Sequence, residues 1–154
     1  RTLPVFMPWS NPERFDVLRD AVARDDLVSL ETLLVSRPQD LLRVANNDAL
    51  VYYAQVWALA HFLHEGAGAK YRESLAQLLL DAANGDVLNR LESSLGERGA
   101  RITLGRRIGD GVFRVYFNDD LSEAAEEYAR FVRASVLPGT RQHMTQGRSP
   151  ITQD

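Results

Sequence analysis

The sequence contains no cysteine. This excludes disulfide bonds, thiolate zinc sites and cysteine nucleophiles, and it leaves the compartment open. An excess of charge is also missing, because 18 basic and 21 acidic residues give a net charge of −3. We therefore expect no general attraction to nucleic acid or to an anionic membrane. The chain also lacks a glycine-rich phosphate loop, a Gly-x-Ser-x-Gly elbow and a calcium-binding loop.

What is present is an ordinary globular composition, with 154 residues of which 45% are hydrophobic. A chain of this length can bury enough surface to fold as one domain. We predict a single helical domain over residues 1–137 and a polar tail over residues 138–154 with few anchors. Because the chain opens on Arg1 rather than on methionine, we expect a processed or truncated piece of a longer protein.

The longest apolar stretch runs over residues 47–66. On a helical wheel its apolar side chains occupy almost every side, which is typical of a helix buried in a bundle or spanning a membrane. Asp48, Gln55 and His61 interrupt it too often for a span of about 20 apolar residues. The pattern predicts a buried central helix, capped by Asn47 or Asp48 and ended by Gly66.

Further helices are predicted from capping residues and apolar spacing. The expected starts are Asn11-Pro12, Ser29, Asp86 and Asp120 with Glu123, and the expected stops include Asn84-Gly85 and Gly96. Residues 97–117 fit a helix or a strand, and we favour a helix. The sum predicts an all-α fold, a compact bundle of about seven or eight helices around the central one, with an array of stacked helix pairs as an alternative.

Several residues could carry chemistry. His61 and His64 are three residues apart with Glu65 outside the pair, whereas zinc peptidases place the glutamate between histidines four apart. We therefore interpret both as packing or helix-end residues rather than metal ligands. Tyr52, Tyr53, Gln55 and Trp57 favour core packing with their polar atoms hydrogen-bonded. The basic cluster of Arg101, Arg106, Arg107 and Arg114 has no interleaved aromatic residues and indicates a solvated face.

One segment resembles a known family. Residues 53–63, YAQVWALAHFL, resemble the segment YAQSWALVHFL of an uncharacterised bacterial family that is grouped with the peptidase-MA-like, or gluzincin, zinc peptidases. The likeness extends to Tyr71-Arg72, to Asn11-Pro12-Glu13-Arg14 and to Phe117-Asn118-Asp119-Asp120-Leu121. It covers residues 10–136, and the poorly fitting stretch 97–117 is expected to be an insertion.

The resemblance implies that the family's zinc is held by a His-Glu-x-x-His helix and a downstream glutamate, and neither is present in this chain. It implies the C-terminal helical subdomain of a zinc-peptidase-like protein, which completes the wall of a substrate cleft but is not catalytic alone. Zinc would belong to the parent protein, and the partners would be the upstream half of the polypeptide and a peptide substrate. The resemblance assigns Tyr53 an oxyanion-stabilising role, with Tyr52 as the alternate.

Two other functions stay open. The chain could be a helical interaction module that binds a peptide or protein partner, or a small metal-binding protein that uses His61 and His64. If a metal-binding half is missing, apolar surface should be exposed, and self-association could cover it.

Overall fold

The computed structural model describes residues 9–37, 39, 48–107 and 109–151. These residues form eight helices and contain no strand. The helices are α1 (Pro12–Ala23), α2 (Leu30–Val35), α3 (Asp48–Ala69), α4 (Arg72–Asn84), α5 (Val87–Arg106), α6 (Asp110–Tyr116), α7 (Leu121–Ser135) and α8 (Thr140–Thr145). The predicted all-α bundle is confirmed.

Three helix starts follow the predicted local chemistry. The side-chain oxygens of Asn11, Ser29 and Asp120 accept hydrogen bonds from backbone N–H groups of the first turns of α1, α2 and α7. Such caps satisfy donors that have no partner within the helix. Asp86 stands at the N-cap position of α5, but its side chain does not make a capping hydrogen bond.

The long helix α3 lies at the centre, and α1, α2, α4 and α7 all pack against it. Ala54, Ala58 and Phe62 are fully buried along its inner side. It begins at Asp48, while Asn47 lies outside the described residues. Its regular conformation ends at Gly66, as predicted, because the ψ angle there is 162°. A Cβ atom at Gly66 would lie 2.3 Å from the Phe62 ring, so a larger residue does not fit.

The predicted central helix is buried on its inner side only, and its outer side is exposed. Leu50, Tyr53 and Val56 are all exposed on its outer side. A helical wheel shows which side chains a helix is able to bury. In this bundle the neighbouring helices cover only one side of α3.

Of the described residues in the stretch 97–117, most are helical, as we favoured, and they belong to two helices, the end of α5 and α6. Gly96 ends the first regular segment of α5, as predicted, because its φ of 74° and ψ of 164° are not helical; a second helical segment then continues to Arg106. The following helix α6 enters the core through the buried residues Phe113 and Tyr116. The backbone N–H of Gly109 donates to the Leu34 carbonyl at 2.8 Å, which fixes the start of α6 beside α2.

The described part of the tail has anchors that its polar composition did not reveal. Met144 of α8 is fully buried in the main core. The guanidinium of Arg141 forms two hydrogen bonds of 2.9 Å with the Asp16 carboxylate on α1. The arginine holds the pKa of Asp16 below its usual value.

Candidate functional site

The outer side of α3 carries an apolar strip within the segment that resembles the peptidase family. Leu50, Tyr53 and Val56 are 58%, 43% and 38% exposed. Residues three apart lie on neighbouring positions of one helix face. Trp57 and Ala60 continue this face and are partly buried. We call these five residues the α3 face.

The two tyrosines of the predicted site occupy different environments. The Tyr53 ring lies on the exposed face, whereas Tyr52 is partly buried and packs against the core. Their ring centroids are 5.6 Å apart in an edge-to-face arrangement. Burial and the neighbouring Tyr53 raise the pKa of Tyr52. Tyr53 is therefore the better placed of the two to meet a molecule from outside.

Gln55 is a structural residue, as the sequence predicted. Its side chain is fully buried. The amide donates to the Val28 carbonyl at 2.9 Å and accepts from the Val28 N–H at 3.0 Å. The Gln55 carbonyl accepts a hydrogen bond of 2.8 Å from the Tyr128 hydroxyl. This one residue joins α3 to the segment before α2 and to α7.

His61 is packed among aromatic rings. Its ring stacks on Trp9 with centroids 3.8 Å apart, and the Trp57 ring meets it edge-on at 5.1 Å. Burial, together with the charge of His64, lowers the pKa of His61 to about 4. At neutral pH the imidazole is therefore uncharged, as an apolar setting requires.

His64 lies near the end of α3 and is partly buried. Its backbone carbonyl accepts a hydrogen bond of 2.9 Å from the Arg72 side chain. Among the residues that the structure describes, no three His, Asp or Glu side chains lie close enough together to hold a metal ion.

Sequence reasoning missed the role of Glu65. Its carboxylate accepts hydrogen bonds from the Trp9 indole at 2.6 Å and from the Ser149 hydroxyl at 2.9 Å. Residues far apart in sequence thus meet at one end of α3. No local pattern predicts this, because the partners are separated by 56 and 84 positions.

A second polar cluster, also missed, is centred on Asp81 of α4. The buried Tyr116 hydroxyl donates to its carboxylate at 2.7 Å, and Gln77 donates at 2.6 Å. Arg90 forms an ion pair with the same group. The hydrogen bonds from Arg90 and Tyr116 lower the pKa of Asp81 to about 2. These contacts join α4, α5 and α6, so we interpret this cluster as a structural junction of the three helices.

The basic cluster is exposed, as predicted for a solvated face. Arg101 pairs with Glu97, and Arg114 lies 3.8 Å from an Asp119 oxygen. Within the described ranges, no helix combines the length and apolarity needed to cross a bilayer.

The α3 face and its exposed tyrosine are therefore the candidate site that the resemblance and the geometry share. Comparison with known proteins finds no matching family model, no matching curated protein and no matching solved structure, so the likeness to gluzincin peptidases stays a prediction.

Proposed function

We propose that this chain is the C-terminal helical subdomain of a zinc-peptidase-like protein, in which the α3 face forms one wall of a substrate cleft. The observation that carries the proposal is the exposure of Tyr53 between Leu50 and Val56. Large apolar side chains left on one face of a central helix are typical of a surface that another domain or a ligand covers. The segment that resembles the peptidase family contains Tyr53 and Val56.

The proposal places no zinc on the described residues. They bring no three-ligand cluster together, and His61 is held within the Trp9–Trp57 aromatic packing. The metal ligands are assigned to the upstream half of the polypeptide, and no catalytic step through a metal is derived for this chain. The contribution assigned here is that of Tyr53, whose phenol O–H can donate to a carbonyl oxygen as it becomes negative.

Tyr53→Phe in the full-length parent protein tests the catalytic part. Removing one oxyanion donor typically lowers kcat by about 100-fold or more, while KM stays close to that of the wild type. Tyr52→Phe is the matched control, since it removes a neighbouring hydroxyl from a partly buried ring. The assay is hydrolysis of a quenched fluorescent peptide library. Equal rates for the wild type and Tyr53→Phe would refute the assignment of Tyr53. A loss of rate confined to Tyr52→Phe would assign the oxyanion-stabilising role to Tyr52.

The docking part has its own test. The chain and the upstream half are produced separately, and their association is measured by calorimetry. Leu50→Asp combined with Val56→Asp should abolish association, because each substitution places a charge in an apolar contact. Leu137→Asp changes an equally exposed leucine outside the α3 face and should have no effect. Association that survives the double substitution would show that the halves meet elsewhere.

Binding of a separate peptide or protein partner by the α3 face is the second candidate. The same exposed apolar strip favours it. This hypothesis is favoured if the parent protein binds no zinc and hydrolyses no peptide, while the chain binds a partner and Leu50→Asp abolishes that binding.

A further inference from the structure

A second surface, lined by residues other than those of the α3 face, forms an apolar pocket where α2, α3, α4, α5 and α6 meet. Its volume is about 470 Å³. Small-molecule sites in proteins typically enclose about 300–1,000 Å³ and combine apolar walls with a few polar groups. The pocket therefore has the size of a ligand site.

The walls are built from five different elements, so the pocket depends on the fold and not on one helix. Leu59 and Leu63 come from α3, Leu78 from α4, and Val112 and Phe113 from α6. Leu34, Leu104, Gly109 and Phe117 complete the apolar lining, and Thr103 contributes a hydroxyl. Removal of a ligand's apolar surface from water in this pocket would favour binding.

Among the described residues of this lining, Arg107 is the one charged side chain. Within the described part of the chain, it forms no ion pair with a carboxylate. Asp110 is close in sequence but does not belong to the lining. Arg37 donates a hydrogen bond to the carbonyl of Arg106, which brings a second guanidinium to the same end of α5. The pocket is thus an open apolar cleft with positive charge at its edge.

We propose that this pocket binds a small amphiphile with a hydrocarbon body and an anionic head group, with the head beside Arg107. A guanidinium pairs with a carboxylate through two parallel hydrogen bonds, which gives the head group a defined position. The leucine, valine and phenylalanine side chains accept the hydrocarbon body. This inference does not depend on the proposed peptidase function.

Titration calorimetry with dodecanoate, below its micelle concentration, is the direct test, and neutral dodecanol is the companion probe. Arg107→Asn should weaken dodecanoate binding at least about tenfold and leave dodecanol binding unchanged. Asparagine is chosen because Arg107 has a φ of 54°, which asparagine tolerates. Arg98→Asn removes an equivalent exposed charge from α5 outside the pocket and should change neither affinity.

Leu104→Gln should weaken both probes, because Leu104 lines the pocket and is exposed enough to replace without disturbing the core. Leu137→Gln is its control. Circular dichroism verifies that each variant is folded. The proposal is overturned if dodecanoate shows no saturable binding, or if Arg98→Asn weakens it as much as Arg107→Asn. It is also overturned if Leu104→Gln leaves both affinities unchanged, or if sedimentation shows self-association of the chain that Leu104→Gln abolishes.

Discussion

Replacing Gln55 with methionine removes the two hydrogen bonds that join α3 to Val28. Methionine has nearly the length of glutamine, so the substitution changes polarity with little change in volume. The Val28 N–H and carbonyl then lose the partners that they have at 3.0 and 2.9 Å. The loss in the free energy of unfolding therefore reports the two hydrogen bonds between Gln55 and Val28 and not the creation of a cavity.

The magnitude follows from the burial of the groups left behind. An unsatisfied buried backbone group costs about 1–3 kcal/mol. Val28 is only partly buried, so water can replace some of the lost interaction. We expect a loss of about 2–4 kcal/mol in the free energy of unfolding. For a chain of this size that corresponds to a fall in Tm of roughly 4–16 °C.

Urea unfolding followed by circular dichroism measures this loss. Gln142→Met is the matched control, because Gln142 is an exposed glutamine of α8, and surface substitutions usually change stability by less than about 0.5 kcal/mol. If Gln55→Met costs no more than Gln142→Met, the link between α3 and Val28 contributes nothing and the reasoning is wrong.

Gln55→Glu gives an independent check through pH. A protonated carboxyl offers one donor and one acceptor to Val28, as the amide does, whereas the ionised form offers only acceptors and buries a charge. The folded-state pKa of that carboxyl must then lie above the unfolded value of about 4.3. Relative to the wild type at each pH, this variant should be most stable below pH 4 and should lose stability as the pH rises.

Two further predictions concern the other end of α3. Because the pKa of His61 falls to about 4 on folding from an unfolded value of 6.5, unfolding takes up a proton between these limits. The stability contributed by the neutral ring is present above pH 6.5 and is lost as the pH falls toward 4. His61→Phe should therefore flatten the dependence of the free energy of unfolding on pH in this range. An unchanged dependence in urea titrations would contradict the assignment. Met144→Ala should cost about 2–5 kcal/mol, since Met144 is fully buried, and a cost below 1 kcal/mol in thermal unfolding would show that α8 is not an anchor.

Features with a local cause were predicted from the sequence. The caps at Asn11, Ser29 and Asp120 depend on residues three positions ahead, and the break at Gly66 depends on the glycine itself. The polar satisfaction of Gln55 also followed from its type, because a buried amide must find partners. The sequence did not reveal that the partner is Val28.

Features that depend on distant residues were not predicted. The bonds of Trp9 and Ser149 to Glu65, and the position of Met144, arise only after the helices have packed. Likewise the exposure of Tyr53 depends on which side of α3 the other helices leave uncovered. The candidate site was therefore identified by residue type and resemblance. That Tyr53 is accessible to solvent could be learned only from the structure.

The kink at Gly96 has a consequence for how the bundle opens. Of the 20 residues of α5, only Leu91 and Ala100 are buried, and the left-handed glycine interrupts the helix between them. Few buried contacts give a segment a low free energy of local opening. Amide hydrogens of α5 should therefore exchange with solvent long before those of α3. α5 supplies Thr103 and Leu104 to the apolar pocket. A bound amphiphile would therefore stabilise the folded form of this helix, and local opening of the helix would weaken binding.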